Sequence, residues 1–362
     1  MSTYDALLGI ARDLEESRVL SVYLAREERD PGQAGLWRGR LDASVAEARS
    51  RIEGGNGQEL ADFDVAAGRV AEAASSFGRV LPSRGWFACA TRDGLCHEEP
   101  LAFSPRMTVR WRRGAFLAPY VRGLKGERPV LVGLVDSRRA RLLSYRGGLL
   151  EPIRELDADT DILDLSDIGM SKRAATASGV RGETRTDAGK DALDEIANRL
   201  RDRVAEILVD LAGSDGTVLV GGAKKAAASM MRVLAPKLTG RLMDLSDVPV
   251  AADGATLVRE VERAASAVTS RRQFELLDQA RGTSGLGALG WNDTLSALRG
   301  GAVDTLLLSR ELIAMAPDDT EDLVRLALAH RADVEELGGD IGTELHESAG
   351  GVAARLRFRA IR

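Results

Sequence analysis

Between Ser171 and Lys190 the chain reads Ser-Lys-Arg-Ala-Ala-Thr-Ala-Ser-Gly-Val-Arg-Gly-Glu-Thr-Arg-Thr-Asp-Ala-Gly-Lys. Five cations, Lys172, Arg173, Arg181, Arg185 and Lys190, are spaced there among small residues. Such a stretch has too little apolar surface to order itself, so a mobile loop is expected over residues 157–188. Its chemistry is phosphate neutralisation, in which each cation set against RNA releases counterions and makes affinity depend on salt. A second pair, Lys224 and Lys225, follows Gly221-Gly222 at the expected start of a helix near Ala223. Free backbone N–H groups and the positive helix end make such a place receptive to phosphate. A third run holds Arg106, Arg110, Arg112, Arg113, Arg122, Lys125 and Arg128, with Glu127 the only acid among them. Each set also has a plainer reading: a solvated loop, exposed lysines on a helix, and the solvent face of a strand. The strand reading is concrete, because Met107-Thr-Val-Arg-Trp-Arg112 alternates strictly. Met107, Val109 and Trp111 would face a core, with Thr108, Arg110 and Arg112 outward.

Other reactive residue types form no recognisable constellation. Asp157-Ala-Asp-Thr-Asp161 invites a calcium reading, but its sixth position is Ile162 rather than Gly and its twelfth is Ile168 rather than Glu. Asp136 with these aspartates could hold two metals for a nuclease; more simply, Asp136 starts a turn with Ser137. Cys89 and Cys96 flank Asp93-Gly94, a hairpin signal. With Asp93-Gly94 as the loop, the two thiols lie on a diagonal about 7–8 Å apart, too far for a relaxed disulfide. Two packing thiols are expected there, and no metal site. His97, His330 and His346 are scattered, and no Ser–His–Asp or Cys–His grouping emerges. Neither a Walker loop nor Gly-x-Gly-x-x-Gly after a strand is present, so no nucleotide cofactor is expected. No catalytic residue is identified.

The elements that would carry these residues are legible in part. With 362 residues, 44% apolar and 29% charged, the chain is expected to form two or three packed domains. No run approaches the ~18 apolar residues of a membrane helix, and Ser2-Thr3-Tyr4-Asp5 shows no secretory signal, so a cytoplasmic protein with no membrane partner is expected. A net charge of −5 excludes wholesale coating of nucleic acid but allows contact at local patches. Residues 1–127 read as an α/β domain with a strand at Val19–Leu24 and helices over Trp37–Ile52 and Asp62–Phe77. Residues 128–251 read as a middle domain. It opens with a strand at Pro129–Val135, a turn at Asp136–Arg138, a strand at Ala140–Tyr145 and a Gly147-Gly148 turn. Leu193, Ile196, Leu200, Val204, Ile207, Leu208 and Leu211 recur at helical spacing, with Gly213 past the end. Thr217–Val220 is a buried strand, and Leu238–Leu245 an edge segment. Residues 252–362 read as a third α/β domain with a helix over Leu257–Ala280 and a flexible loop at Gly282, Gly285, Gly287 and Gly290. A short helix at Thr294–Leu298, a strand at Val303–Leu308, a helix at Thr320–His330 and a closing strand at Gly351–Phe358 complete it. The fold class is α/β with mixed sheets.

Four segments carry a resemblance: Pro129–Glu151, Thr217-Val-Leu-Val-Gly-Gly-Ala-Lys-Lys225, Ala297-Leu-Arg-Gly-Gly-Ala-Val-Asp-Thr-Leu-Leu-Leu308 and Gly350–Phe358. In order and spacing they resemble the middle and last domains of the archaeo-eukaryotic class-I release factors and Pelota, in a bacterial-type branch that includes ribosome-hibernation proteins. The resemblance implies three domains with a ribonuclease-H-like middle one. It also implies a ribosomal partner contacted through rRNA, with tRNA as a further contact and room for a partner translation factor. Members that release peptides carry Gly-Gly-Gln in the loop before the long helix; here that loop has no glutamine, and Gln33, Gln58, Gln273 and Gln279 all lie elsewhere. The stop-codon signature Asn-Ile-Lys-Ser is absent too. The reading is therefore an RNA-contacting factor of the ribosomal A-site region, active in hibernation, stalled-ribosome recognition or rescue, without release chemistry. RNA contact is expected from Lys172, Arg173, Arg181, Arg185, Lys190, Lys224 and Lys225, together with Arg110, Arg112 and Arg113. The competing readings are a peptidyl-tRNA hydrolase or RNA-cleaving enzyme with unidentified residues, and a stress-response adaptor that binds proteins.

Overall fold

The computed structural model describes residues 3–26, 35–52, 57–78, 80–81, 83–126, 128–146, 149–158, 185–245, 248–282 and 285–358. Among them are three sheets and eleven helices in a mixed α/β arrangement. The chain divides into two compact units, one built from Met1–Glu127 with Gln273–Arg362, the other from Arg128–Arg272.

In the first of these units the leading sheet has the order β3-β2-β1-β4, from β1 (Arg18–Ala25), β2 (Gly85–Ala90), β3 (Leu95–Leu101) and β4 (Thr108–Arg113). Every pairing is antiparallel. β1 is buried on both faces. Leu20, Val22 and Leu24 meet Trp37, Leu41, Phe63 and Val70 of helices α2 (Leu36–Ser50) and α3 (Gly57–Ser75). Val19 and Tyr23 join a core shared with α1 (Thr3–Asp13), α4 (Ala118–Gly126) and the C-terminal elements. That double burial explains the unbroken apolar run at Val19–Leu24. The C-terminal sheet runs β10-β13-β11-β12, from β10 (Gly287–Leu289), β11 (Val303–Ser309), β12 (Asp333–Leu337) and β13 (Val352–Leu356). β11 and β12 are parallel, and the closing strand β13 is interior.

Two expectations are corrected in this unit. The glycine-rich loop contains a strand: Gly287 opens β10, and a side chain there would collide with the Ala280 carbonyl. The hairpin at Asp93-Gly94 has a shifted register, because Thr91 N–H donates to the Gly94 carbonyl (2.9 Å) and an irregularity follows Cys89. Cys89 thus pairs with His97; it is buried, while Cys96 is exposed, so only one of the two thiols packs in a core. Desolvation pushes the Cys89 thiol up to about 12, leaving it protonated.

The middle unit has the order β7-β6-β5-β8-β9, from β5 (Val130–Val135), β6 (Arg139–Arg146), β7 (Leu149–Asp157), β8 (Thr217–Gly222) and β9 (Leu242–Leu245). The first three form an antiparallel meander, and β5, β8 and β9 run parallel. Counted within the unit the order is 3-2-1-4-5, the expected ribonuclease-H-like arrangement. Helices α5 (Arg185–Ala212) and α6 (Lys224–Leu234) bury Leu200, Val204, Leu208 and Met230 on one face. Leu211, counted in the apolar stripe, is exposed. On the other face Leu257, Val261, Ala264 and Val268 of α7 (Gly254–Arg281) pack on Val132, Leu134 and Leu219. Residues 253–272, read from sequence as the opening of a third domain, therefore belong to this unit's packing. In the C-terminal segment, α8 (Trp291–Arg299), α9 (Arg310–Met315), α10 (Pro317–Ala329) and α11 (Gly339–Ala349) complete the helices. No described helix is long and apolar enough to cross a membrane.

Candidate nucleic-acid interface

Lys224 and Lys225 stand where β8 passes into α6. The turn depends on Gly222, whose φ of +112° lies in the region that favours glycine and whose absent side chain lets the Val135 carbonyl approach. Gly222 N–H donates to the Val248 carbonyl and Ala223 N–H to the Val135 carbonyl, both at 2.8 Å, which fixes the chain's exit from the sheet. The helix then starts from Ala223 with no side-chain cap, so its first-turn amides have no side-chain acceptor. Both lysines are exposed, and neither makes a hydrogen bond or ion pair among the described residues. Beside them Arg201 of α5 donates from Nη1 to Asn198 Oδ1 (2.9 Å) and Ser229 Oγ (2.8 Å), and from Nη2 to Asp202 Oδ1 (3.1 Å). The result is a pair of exposed lysines, unpaired among the described residues, beside an arginine already paired with Asp202.

The arginines of β4 are placed differently. Val109, with Met107 and Trp111 partly buried, faces the α2–α3 core as the alternation predicts. The opposite face is only partly exposed and its arginines are engaged by neighbouring groups, which corrects the expectation of a bare outward basic strand. Arg112 is 13% exposed in its side chain and donates from Nη2 to Asp322 Oδ1 (2.5 Å), with Asp318 also near. Arg113 pairs with Glu16, and the Arg110 guanidinium lies 5.9 Å from the Phe116 ring centre. Close by, Glu321 is fully buried. Its carboxylate accepts from the Leu117 and Ala118 amides at 2.8 Å each, at the start of α4. Desolvation pushes Glu321 up to about 7, against the two amides and the nearby Arg112 and Arg325.

Lys172, Arg173, Arg181 and the expected mobile loop lie outside the described residues, as does the Gly147-Gly148 turn. Arg185 and Lys190 belong to α5, which begins at Arg185; the helix thus opens about two turns before the Leu193 start read from the apolar stripe, and residues 185–188 are not loop. Asp136 forms the expected turn: its Oδ1 accepts from the Arg138 and Arg139 amides, both at 2.7 Å. Asp157 pairs with Arg139, and Asp159 and Asp161 lie outside the described residues. Among the described residues no group of three or more His, Cys, Asp or Glu is placed to hold a metal.

Residues 116–267 match the family model for bacterial archaeo-eukaryotic release factor family 10. The matched segment is similar to the bacterial archaeo-eukaryotic release factors; it spans the whole β5–β9 sheet and includes Lys224, Lys225 and Arg201. Solved structures similar to this chain include an archaeal translation termination factor, aRF1 (16% identity, 99% of each chain, TM-score 0.28). Archaeoglobus fulgidus Pelota is another (17% identity, 78% of each chain, TM-score 0.34). A third is Dom34 of S. cerevisiae (10% identity, 76% of this chain and 74% of that one, TM-score 0.43). The comparison with curated proteins gave no match.

Within the release-factor segment there is no glutamine at all, because Gln33, Gln58, Gln273 and Gln279 fall outside it. Sequence reading missed Arg201, Asn198 and Ser229, the polar seam beside the lysines. The available signal was spacing: Asn198 and Arg201 at i, i+3 and Lys225 and Ser229 at i, i+4 share helix faces.

Proposed function

We propose that this chain is a release-factor-like, ribosome-associated translation factor that binds the A-site region through RNA phosphates and does not release peptides. The observation that carries this reading is the pair Lys224 and Lys225, exposed and without partners among the described residues, on a glycine-fixed helix start inside the family-matching unit. The basic segment with Lys172, Arg173, Arg181, Arg185 and Lys190 would add phosphate contacts beside it. Arg112 and Arg113 already hold carboxylates, so RNA would have to displace those pairs; Arg110 is the member of that patch open to an added contact. The glutamine-free segment supports binding without hydrolysis, since water would lack the side chain that positions it. Hibernation, stalled-ribosome recognition and rescue all fit this chemistry, with rRNA as the main contact, tRNA as a further one, and a translation-factor partner accommodated.

The test is co-sedimentation with vacant 70S ribosomes across a salt series. Binding should weaken as salt rises, with a log–log slope set by the number of phosphates neutralised. Binding that is absent, or indifferent to salt, removes the proposal. Release of peptide from a stalled complex, abolished by one loop substitution, would instead establish a hydrolase.

A further inference from the structure

The middle unit contains a cavity that phosphate contact at its rim does not explain. β5 and β8 run parallel and part at their C-terminal ends: β5 turns back through Asp136–Ser137, and β8 enters α6. Open α/β sheets leave a ligand crevice at such a divergence. Here α5 closes it, and a volume of about 220 Å³ remains between the turn, α5 and the first turns of α6. Val135, Leu200 and Val204 give it an apolar floor.

The polar lining contains two kinds of group. Arg201 is fixed at Nη1 by Asn198 and Ser229 and at Nε (3.3 Å) and Nη2 (3.1 Å) by Asp202, so a phosphate there would share the guanidinium with that exposed carboxylate. Lys225, unpaired among the described residues, lies one turn before Ser229 on the same α5–α6 seam. A fixed guanidinium beside an ammonium is the arrangement that recognises phosphate. The second kind is acidic. Asp194 precedes Arg201 by two helical turns, about 10 Å along the axis, and lines the same cavity. Asp136 lines it too; one of its oxygens is committed to the turn amides, and the other has no partner among the described residues. Carboxylates placed a short distance from a phosphate site accept from vicinal hydroxyls, as in ribose recognition. Free polyanions are disfavoured by those same carboxylates, and the volume is too small for two stacked nucleotides.

We propose that this cavity binds one ribonucleoside monophosphate unit, with the phosphate on Arg201 and Lys225 and the ribose hydroxyls on Asp136 and Asp194. The unit can be a free nucleotide or the 5′-phosphorylated terminal residue of an RNA strand. The proposal deepens the RNA-contact reading and rests on it only through Lys225.

Calorimetric titration of the full chain with AMP tests it, alongside dAMP, inorganic phosphate and a 5′-phosphorylated RNA tetramer. AMP should bind, dAMP at least about fivefold more weakly, and phosphate alone more weakly still. Tetramer binding stronger than AMP identifies a strand end as the source, and equal binding identifies the free nucleotide; either supports the site. Arg201→Ala should lower affinity about tenfold. Because Arg201 also bridges two helices, exposed Lys225→Ala provides a second reading with the fold intact, and should weaken AMP and phosphate together. Asp194→Asn should weaken AMP toward dAMP while leaving co-sedimentation with 70S ribosomes unchanged. Absence of AMP and tetramer binding overturns the site, as does equal binding of AMP, dAMP and phosphate. If AMP binds and ribosomes do not, the ribosomal reading falls and this one stands.

Discussion

Two basic runs, Arg110–Arg113 on β4 and Lys224–Lys225 at the start of α6, look alike in sequence and meet opposite fates. Each lies at a strand and carries little nearby acid. Around β4 the fold brings in carboxylates from far along the chain: Glu16 for Arg113, Asp318 and Asp322 for Arg112, with Glu321 buried behind them. Around α6 no carboxylate reaches either lysine among the described residues. A cationic run is available to a partner only where tertiary structure has not already neutralised it. The arginines hold one unit together, while the lysines remain exposed and unpaired among the described residues.

The largest way to break this contrast is Glu321→Ala. It leaves two buried amides without their acceptor, at about 1–3 kcal/mol each, and should cost about 3–5 kcal/mol in urea unfolding. Next comes pH. A carboxyl raised to about 7 in the folded chain holds a proton that the unfolded chain releases near 4.5. Its contribution is therefore full below about 4.5 and is lost as pH rises towards 7, a change of roughly 3 kcal/mol in denaturation series. Glu321→Gln should flatten that slope. Arg112→Ala, whose aspartate partners are well exposed, should cost only about 1 kcal/mol and leave the salt slope of ribosome binding unchanged. The smallest effect on stability belongs to the double variant Lys224→Ala with Lys225→Ala, within about 0.5 kcal/mol of the parent. That variant should nevertheless reduce the salt slope by about 0.7–0.9 for each phosphate lost. A drop in melting temperature without a change in slope would erase the distinction between the two runs.

What could be read from sequence was whatever local chemistry specifies. Asp136 predicts its own turn because its side chain bonds the next amides, and that turn sets the β5–β6 register. The α5 stripe from Ile196 to Leu208 and Gly213 beyond it, with φ of +53°, mark a helix by period and stop signal. The start of α5 escaped notice because Arg185–Lys190 has no apolar stripe. β10 was hidden among glycines whose smallness serves close backbone approach at Ala280 rather than flexibility. The Arg112–Asp322 pair was illegible for a different reason: the partners are 210 residues apart, and nothing local links them. At the candidate site, the lysines were visible through Gly221-Gly222, whereas the Arg201–Ser229 bridge needs two helices to be packed first.

The unit made from Met1–Glu127 and Gln273–Arg362 is discontinuous in the chain. During synthesis Arg128–Arg272 emerges complete and can fold at once, while the leading sheet waits with half its core exposed. Val19 and Tyr23 obtain their full apolar surroundings only when Leu306, Leu323 and Val324 arrive. β13, at the interior of the C-terminal sheet, comes after every other strand. A ribosome that stalls after Arg272 has left the exit tunnel but before β13 is made would therefore carry a finished middle unit attached to an unfinished one, a natural target for chaperones.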